Sequence, residues 1–231
     1  MTTVKTLATD VDGTITDSRK RISHEAIRAI RKLEENGIPI ILTSGNPLCV
    51  LKTLREYLGC SGGLICEDGA VVEYKGEVKI LGNKDEVLKA LRRLKDLYGN
   101  MVSESWLNPY RHVDVALRKT IDRSLILKVL VDYPNLKLLD SGFAYHIMNR
   151  KLSKATGLTL LAELMGISVK EVAAVGDSMP DLEMLEAAGY SFAVANAPEP
   201  LKSVASCVTE KEDGEGFVEV AETLISRLRK T

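Results

Sequence analysis

The chain has 231 residues, of which 45% are hydrophobic and 27% charged, and its formal net charge is -1. That length can bury a sizeable core, as one large domain or two small ones, and the composition excludes a disordered chain. The even charge balance offers nothing to a nucleic-acid backbone, and no apolar run approaches the ~20 residues of a membrane-spanning helix, so neither nucleic acid nor membrane is an expected partner.

In chain order, Val4 to Thr9 reads as a short buried strand that breaks at Asp10-Val11-Asp12-Gly13-Thr14. A helix follows from Ser23 to Asn36, with Ser23 as N-cap, an apolar stripe of Ile27, Ile30 and Leu33, and Gly37 as the stop. The continuous apolar run Ile38 to Leu42 ends in Thr43-Ser44-Gly45-Asn46; such two-sided hydrophobic strands belong in a parallel sheet covered by helices. A helix over Pro47 to Leu58, a strand over Gly63 to Cys66 ending at Glu67-Asp68-Gly69, and a hairpin over Ala70 to Leu81 turning at Gly76 complete the first part.

Residues 83–150 change character. Asp85 to Tyr98 is an amphipathic helix, Val113 to Leu117 a strand, Asp122 to Val131 a second helix, and Leu136 to Leu139 with Phe143 to Met148 a hairpin around Asp140-Ser141-Gly142. From Leu152 the alternation returns. It gives a helix at Lys154 to Met165, a strand at Val172 to Val175 ending in Gly176-Asp177-Ser178, and a short helix at Asp181 to Ala188. A strand at Ser191 to Ala195, a helix at Pro200 to Ala205, a last strand at Cys207 to Thr209 and a terminal helix at Phe217 to Leu228 follow. The predicted fold class is α/β: a doubly wound, mostly parallel sheet built from residues 1–82 and 151–231, with an α+β cap of residues 83–150 inserted.

Four cysteines (Cys49, Cys60, Cys66, Cys207) form no C-x-x-C pair, and His24, His112 and His146 are scattered, so a structural zinc site is not expected. The N-terminus shows no charged region followed by a long apolar one, which makes a cytoplasmic protein with reduced thiols the expectation.

Polar residues recur at the carboxyl ends of the apolar strands: Asp10 and Asp12, Ser44, Glu67 and Asp68, and Asp177. Ligands of open α/β sheets bind outside these ends, and converging carboxylates are costly without a cation to neutralise them. Asp10 and Asp12, two apart in extended chain, put both side chains on one side, so that one can attack while the other handles protons. Asp177 and Asp181, four apart at a strand-to-helix junction, can face one ion, and an all-oxygen set selects Mg2+ over zinc. Ser44 can bond a phosphoryl oxygen, and Lys154 can supply positive charge. Taken singly, each aspartate reads as a turn or a helix cap. Lys154 reads as an exposed lysine, although a helix's first turn disfavours a cation.

Together these segments resemble the four motifs of the haloacid dehalogenase superfamily: Asp10 to Thr14, Thr43 to Asn46, Lys154, and Gly176 to Asp181, in the right order and spacing. The insertion is similar to the α+β cap of its Cof-like and sucrose-phosphatase-like branch. The full length, with Glu67-Asp68-Gly69, Asp140-Ser141-Gly142 and His146 to Arg150, resembles the archaeal phosphoglycolate phosphatases. The resemblance implies that Asp10 attacks phosphorus to form an aspartyl-phosphate, and that Asp12 protonates the leaving alkoxide and later deprotonates water. It implies Mg2+ on Asp10, Asp177, Asp181 and, by its backbone carbonyl, Asp12, with Ser44 and Lys154 on the phosphoryl group. The second aspartate of the pair favours phosphate chemistry over dehalogenation, which has no leaving alkoxide to protonate.

The expected partner is a small-molecule phosphate ester, 2-phosphoglycolate first, and a homodimer is left open. Glu67 and Asp68 are assigned to loop structure or to support of the site. Arg111 is the candidate for a substrate carboxylate, against the plain reading of a solvated face. His146 reads as a half-buried strand position, and Asn149 and Arg150 lie at the return hinge. The alternatives are a sugar-phosphate phosphatase, a phosphomutase of the phosphomannomutase kind, which needs more cap cations than are visible, and a non-catalytic phosphate- or metal-binding module.

Overall fold

The computed structural model describes residues 4–228. The first strand, β1 (Thr6–Asp10), is buried along its whole length, as its apolar sequence requires. Helix α1 (His24–Glu35) starts where the Ser23 hydroxyl accepts from the Ala26 N–H, and it buries Ala26, Ala29, Ile30 and Leu33 while Ile27 stays half-buried. Strand β2 (Ile40–Thr43), helix α2 (Leu48–Leu58) and strand β3 (Leu64–Cys66) continue the alternation. The hairpin β4 (Val71–Tyr74) and β5 (Glu77–Ile80) turns at Lys75 and Gly76.

Helix α3 (Asp85–Tyr98), strand β6 (Val115–Leu117), helix α4 (Arg123–Leu130) and strands β7 (Leu136–Asp140) and β8 (Tyr145–Asn149) come next. Helix α5 (Lys154–Leu164), strand β9 (Val172–Gly176), helix α6 (Leu182–Ala187), strand β10 (Tyr190–Ala193), helix α7 (Glu199–Val204), strand β11 (Cys207–Val208) and helix α8 (Asp213–Leu228) complete the chain.

Two sheets result. The larger has eight strands in the order β11-β10-β9-β1-β2-β3-β4-β5, parallel from β11 to β3 and antiparallel through the β4–β5 hairpin. The mixed α/β class with a parallel-rich sheet and flanking helices is therefore as the strand pattern indicates. From β1 the chain moves outward through β2 and β3, and later outward in the opposite direction through β9, β10 and β11. The seam between β1 and β9 is thus a topological switch point, the place where open α/β sheets bind ligands.

The second sheet is antiparallel, in the order β6-β8-β7. Its strands alternate. Val115, Leu117, Leu136 and Ile147 join a separate small core with Val87, Leu91 and Leu94 of α3 and Ile126 and Val129 of α4. The other face of this sheet carries Asp114, Ala116 and His146, which look toward the larger unit.

One boundary differs clearly from the sequence pattern. Helix α8 begins at Asp213, a turn before the expected Phe217. Gly214 and Gly216 read as helix breakers, but both are buried: a Cβ on Gly214 would lie 2.4 Å from the Ser23 hydroxyl, and one on Gly216 2.4 Å from the Lys211 carbonyl. Gly214 lets α8 seat against the start of α1 and Gly216 lets it seat against the Thr209–Lys211 turn, and that packing outweighs their poor helix propensity.

Candidate active site

The site is assembled at the switch point. Strand β1 delivers Asp10, whose register partner on β2 is Thr43, so Ser44 emerges beside it. Across the seam β9 ends at Gly176 and hands on Asp177, while the first residue of α5 supplies Lys154. Asp10 and Lys154 are 4% and 2% exposed, and Asp181 is fully buried.

The Lys154 ammonium donates to Asp10 Oδ1 at 2.5 Å and to Asp181 Oδ1 at 2.6 Å. The other Asp181 oxygen accepts from the Asp177 N–H, the Ser178 N–H and the Ser178 hydroxyl. Asp181 therefore both caps the turn after β9 and faces the cluster. Thr14 Oγ1 donates to Asp177 at 3.3 Å. Gly13, at φ +91°, leaves the space that Asp177 fills; a Cβ there would lie 2.5 Å from the carboxylate.

Asp10, Asp177 and Asp181 each place one oxygen within 4.8 Å of the others. Three carboxylates around one ammonium leave an excess of negative charge in a desolvated place. Burial pushes the Asp10 carboxyl well above the usual carboxylate range; Lys154 opposes this, while Asp181 and Asp177 add to it. Burial and Asp181 push Asp177 up to about 7. Burial alone would lower the Lys154 ammonium, but Asp10, Asp181 and Asp68 hold it well above its ordinary value. This all-oxygen, under-neutralised set has the donor chemistry of a hard divalent cation.

Asp12 stands apart from that trio by its side chain, although the sequence reading groups it with the metal ligands. Its Oδ2 accepts from Asn46 Nδ2 at 2.9 Å, and Lys20 Nζ lies 3.3 Å from its Oδ1. Asn46 also donates to the Ser44 hydroxyl at 3.0 Å, so it ties Asp12 to Ser44.

A cleft of about 270 Å³ opens over these groups. Its floor includes Asp10, Asp12, Ser44, Asp68 and Lys154; its opposite wall comes from the three-stranded unit and includes Trp106, Arg111, Arg118 and His146. Glu67 is fully buried and accepts from the N–H groups of His112 at 2.8 Å, Val113 at 2.8 Å and Asp114 at 3.2 Å. It joins the two units rather than merely shaping a loop.

Arg111 is 7% exposed, not a solvated side chain. Its Nη1 donates to Asp114 at 2.8 and 2.9 Å and to the Gly45 carbonyl at 2.9 Å. Asp114, also fully buried, accepts from His146 Nδ1 at 2.8 Å. Burial alone would raise the Asp114 carboxyl, but the His146 hydrogen bond and the Arg111 charge outweigh it and hold it at about 2. His146 is buried between sheet and cleft, deeper than the half-buried position its strand pattern suggests. Asn149 and Arg150 do not line the cleft; Arg150 donates to the carbonyls of Pro134 and Leu136 instead.

Asp114, Asn46, Lys20 and Arg118 are absent from the residues the sequence singles out. Asn46 had a signal, as the last residue of the Thr43-Ser44-Gly45-Asn46 motif. Asp114 had a weaker one: a charge inside the apolar run Val113 to Leu117 must be paired if it is buried.

An acidic trio bridged by a buried ammonium, at the carboxyl edge of a parallel sheet and under a roofed cleft, makes this an α/β protein with its candidate site at the switch point. The chain belongs to the haloacid dehalogenase-like hydrolase family, which it matches over residues 7–105 and 126–220, and it is a phosphatase. Among its relatives, phosphoglycolate phosphatase of Archaeoglobus fulgidus is 41% identical over 222 residues, covering 95% of this chain and 96% of that one. Phosphoglycolate phosphatase of Methanothermobacter thermautotrophicus is 38% identical over 216 residues, covering 94% and 96%. A crystal structure of the Thermoplasma acidophilum protein 0175 superposes with a TM-score of 0.88 at 26% identity, covering 96% of this chain and 98% of that one.

Proposed function

We propose that this phosphatase hydrolyses a short phosphomonoester, 2-phosphoglycolate before others, with Asp10 as the nucleophile. The observation that carries the reading is the Asp10–Lys154–Asp181 chain of contacts beneath a cleft of about 270 Å³. The name shared by the archaeal relatives supplies the substrate.

In the first half-reaction an Asp10 carboxylate oxygen bonds to phosphorus as the ester P–O bond breaks, and Asp12 gives the leaving alkoxide its proton. In the second, Asp12, now a carboxylate, takes a proton from water as the water oxygen attacks phosphorus, which releases phosphate and frees Asp10. Asn46 holds the Asp12 side chain in place for both transfers. Lys154 stays protonated through the cycle and offsets charge on the phosphoryl oxygens, to which the Ser44 hydroxyl can also donate. The residues that would hold Mg2+ are Asp10, Asp177, Asp181 and the main-chain carbonyl of Asp12; the ion would add positive charge beside the phosphoryl group.

The test is phosphate release from a panel of 2-phosphoglycolate, sugar phosphates and p-nitrophenyl phosphate with Mg2+ present. The expected result is the highest kcat/KM on 2-phosphoglycolate. No release from any ester would refute the reading.

A further inference from the structure

The wall of the cleft contributed by the three-stranded unit is charged on one side of neutral only. Its lining residues include Arg111, Arg118 and His146 and no carboxylate, while the acids of the cleft (Asp10, Asp12, Asp68) all come from the floor. Two of the three basic groups are committed. Arg111 Nη1 and His146 Nδ1 are both held by Asp114, which is buried behind them. Arg118 is different. It is exposed, it lines the cleft, and its guanidinium has no hydrogen-bond or ion-pair partner among the described residues.

The strand register explains how Arg118 comes to face the cleft. Ala116 pairs with His146 and Leu117 with Tyr145 across β6 and β8. Residues 114, 116 and 118 therefore share a face with His146, and Arg118 stands diagonally across from it, within reach of a long side chain. His146 Nδ1 rests on Asp114, so its Nε2 edge is the one left for the cleft. Ala116, the cross-strand partner of His146, and Ala144 line the cleft beside them with only a methyl each. Arg111 Nε, buried and without a partner among the described residues, adds a further unused donor on the same wall.

We propose that Arg118, with the Nε2 edge of His146 beside it, binds the carboxylate at the far end of the substrate and so selects phosphorylated short-chain acids over neutral phosphate esters. This rests on the phosphatase reading of the Asp10 site and gives the acid preference a residue. It also reassigns the expected role of Arg111. That side chain is held by Asp114 and Gly45 and positions the wall, while the freely placed guanidinium is Arg118. A guanidinium matches a carboxylate by paired N–H donors, and a charge-assisted bond of this kind is worth roughly 10- to 100-fold in selectivity.

The experiment compares kcat/KM for 2-phosphoglycolate with that for its neutral counterpart 2-hydroxyethyl phosphate and its cationic counterpart 2-aminoethyl phosphate. Wild type should favour the acid. In Arg118→Ala the acid-to-neutral ratio should fall roughly 10- to 100-fold, with Arg118→Lys between the two. Arg118→Glu should shift preference toward the amine, an inversion that a merely structural role for Arg118 would not produce. An acid-to-neutral ratio that survives Arg118→Ala, or an equal loss on all three esters, overturns the proposal while leaving the phosphatase reading standing. A wild type that cleaves the neutral ester as well as the acid overturns both the carboxylate site and the 2-phosphoglycolate assignment. A wild type silent on all three, yet active on sugar phosphates or p-nitrophenyl phosphate, overturns the carboxylate site and the 2-phosphoglycolate assignment while the phosphatase reading stands.

Discussion

Lys154 Nζ lies 2.5 Å from Asp10 Oδ1, although the two are 144 positions apart in the chain and neither residue is more than 4% exposed. The ammonium also bonds Asp181, so it opposes the repulsion of the carboxylates that share the site. Replacing it with Met should lower kcat about 10²- to 10³-fold, the range for removing one preorganised electrostatic partner. It should also leave the acids uncompensated. The melting temperature of Lys154→Met in chelator should then fall below wild type, and Mg2+ should restore more of it than in wild type. Thermal melts with EDTA and with Mg2+ check this; an equal Mg2+ response in both proteins contradicts it.

Asp10→Asn separates catalysis from binding. An amide cannot form the acyl-phosphate, so turnover should disappear in a phosphate-release assay, while most of the ligand contacts remain. Trp106 is the one tryptophan of the sequence, it lines the cleft and it is 73% exposed. Its fluorescence should therefore still report titration of Asp10→Asn with 2-phosphoglycolate. Wild-type protein that shows this fluorescence change without any turnover would instead mark a binding module.

Much of the site is legible in the sequence, and the part that is not has a physical pattern. Asp10, Ser44, Asp177 and Lys154 sit at element ends, where an apolar run stops against a polar residue, and that signal is local. The pairing of Asp114 with Arg111 and His146 is not local, because the His146 contact closes only when β6 and β8 align. The same holds for Glu67, whose three donors lie more than 40 residues away. Arg111 illustrates the limit. Its residue type suggested a free carboxylate binder, and only the fold reveals that its Nη1 is engaged with Asp114 and Gly45. Gly214 and Gly216 failed in the opposite sense, since a local breaker signal was overridden by close packing against Ser23 and Lys211.

Gly69 makes a sharper test of backbone geometry. It has φ +98°, and a Cβ there would fall 1.8 Å from the Ser153 carbonyl oxygen, just ahead of Lys154. Gly69→Ala should cost more than about 4 kcal/mol or abolish folding, because both the dihedral and the clash oppose it. Gly76, at φ +88° with nothing within 4 Å of its built Cβ, isolates the dihedral alone. Gly76→Ala should cost only about 1–2 kcal/mol. Urea unfolding of the two variants measures the difference; equal costs would show that the turn against Ser153 is not tight.

Asp114 predicts the acid limb of stability. Although burial alone would raise it, the His146 bond and the Arg111 charge hold its folded pKa at about 2, below the ~3.9 of an unfolded chain. Its ionised form therefore favours the folded state. That contribution, on the order of 2 kcal/mol, is complete above about pH 4 and is lost as pH falls toward 2. Asp114→Asn should be less stable at neutral pH, with the Arg111 guanidinium left short of an anion and His146 Nδ1 short of its carboxylate partner, and its stability should decline less between pH 4 and 2. Denaturation of both proteins across that range checks the slope; parallel curves would remove Asp114 as the cause.

Glu67 should determine how firmly the two units are joined. Its carboxylate, at an unfavourable φ of +49° and followed by Asp68 at +51°, collects three N–H groups from the segment leading into β6. Such a conformation persists in a non-glycine residue only when other contacts hold it. Glu67→Ala strands those donors, and about 2–5 kcal/mol should be lost, since each unmet buried donor costs roughly 1–3 kcal/mol and some will find water. Because the same segment carries Arg111 and Asp114, the wall of the cleft should loosen with it. KM for 2-phosphoglycolate should then rise several-fold while kcat changes less, for Asp10 and Lys154 belong to the other unit. Amide exchange at His112, Val113 and Asp114 gives the direct measurement: their protection should drop in Glu67→Ala and recover in part in Glu67→Gln, which keeps one accepting oxygen. Unchanged protection would mean that other contacts hold the units together.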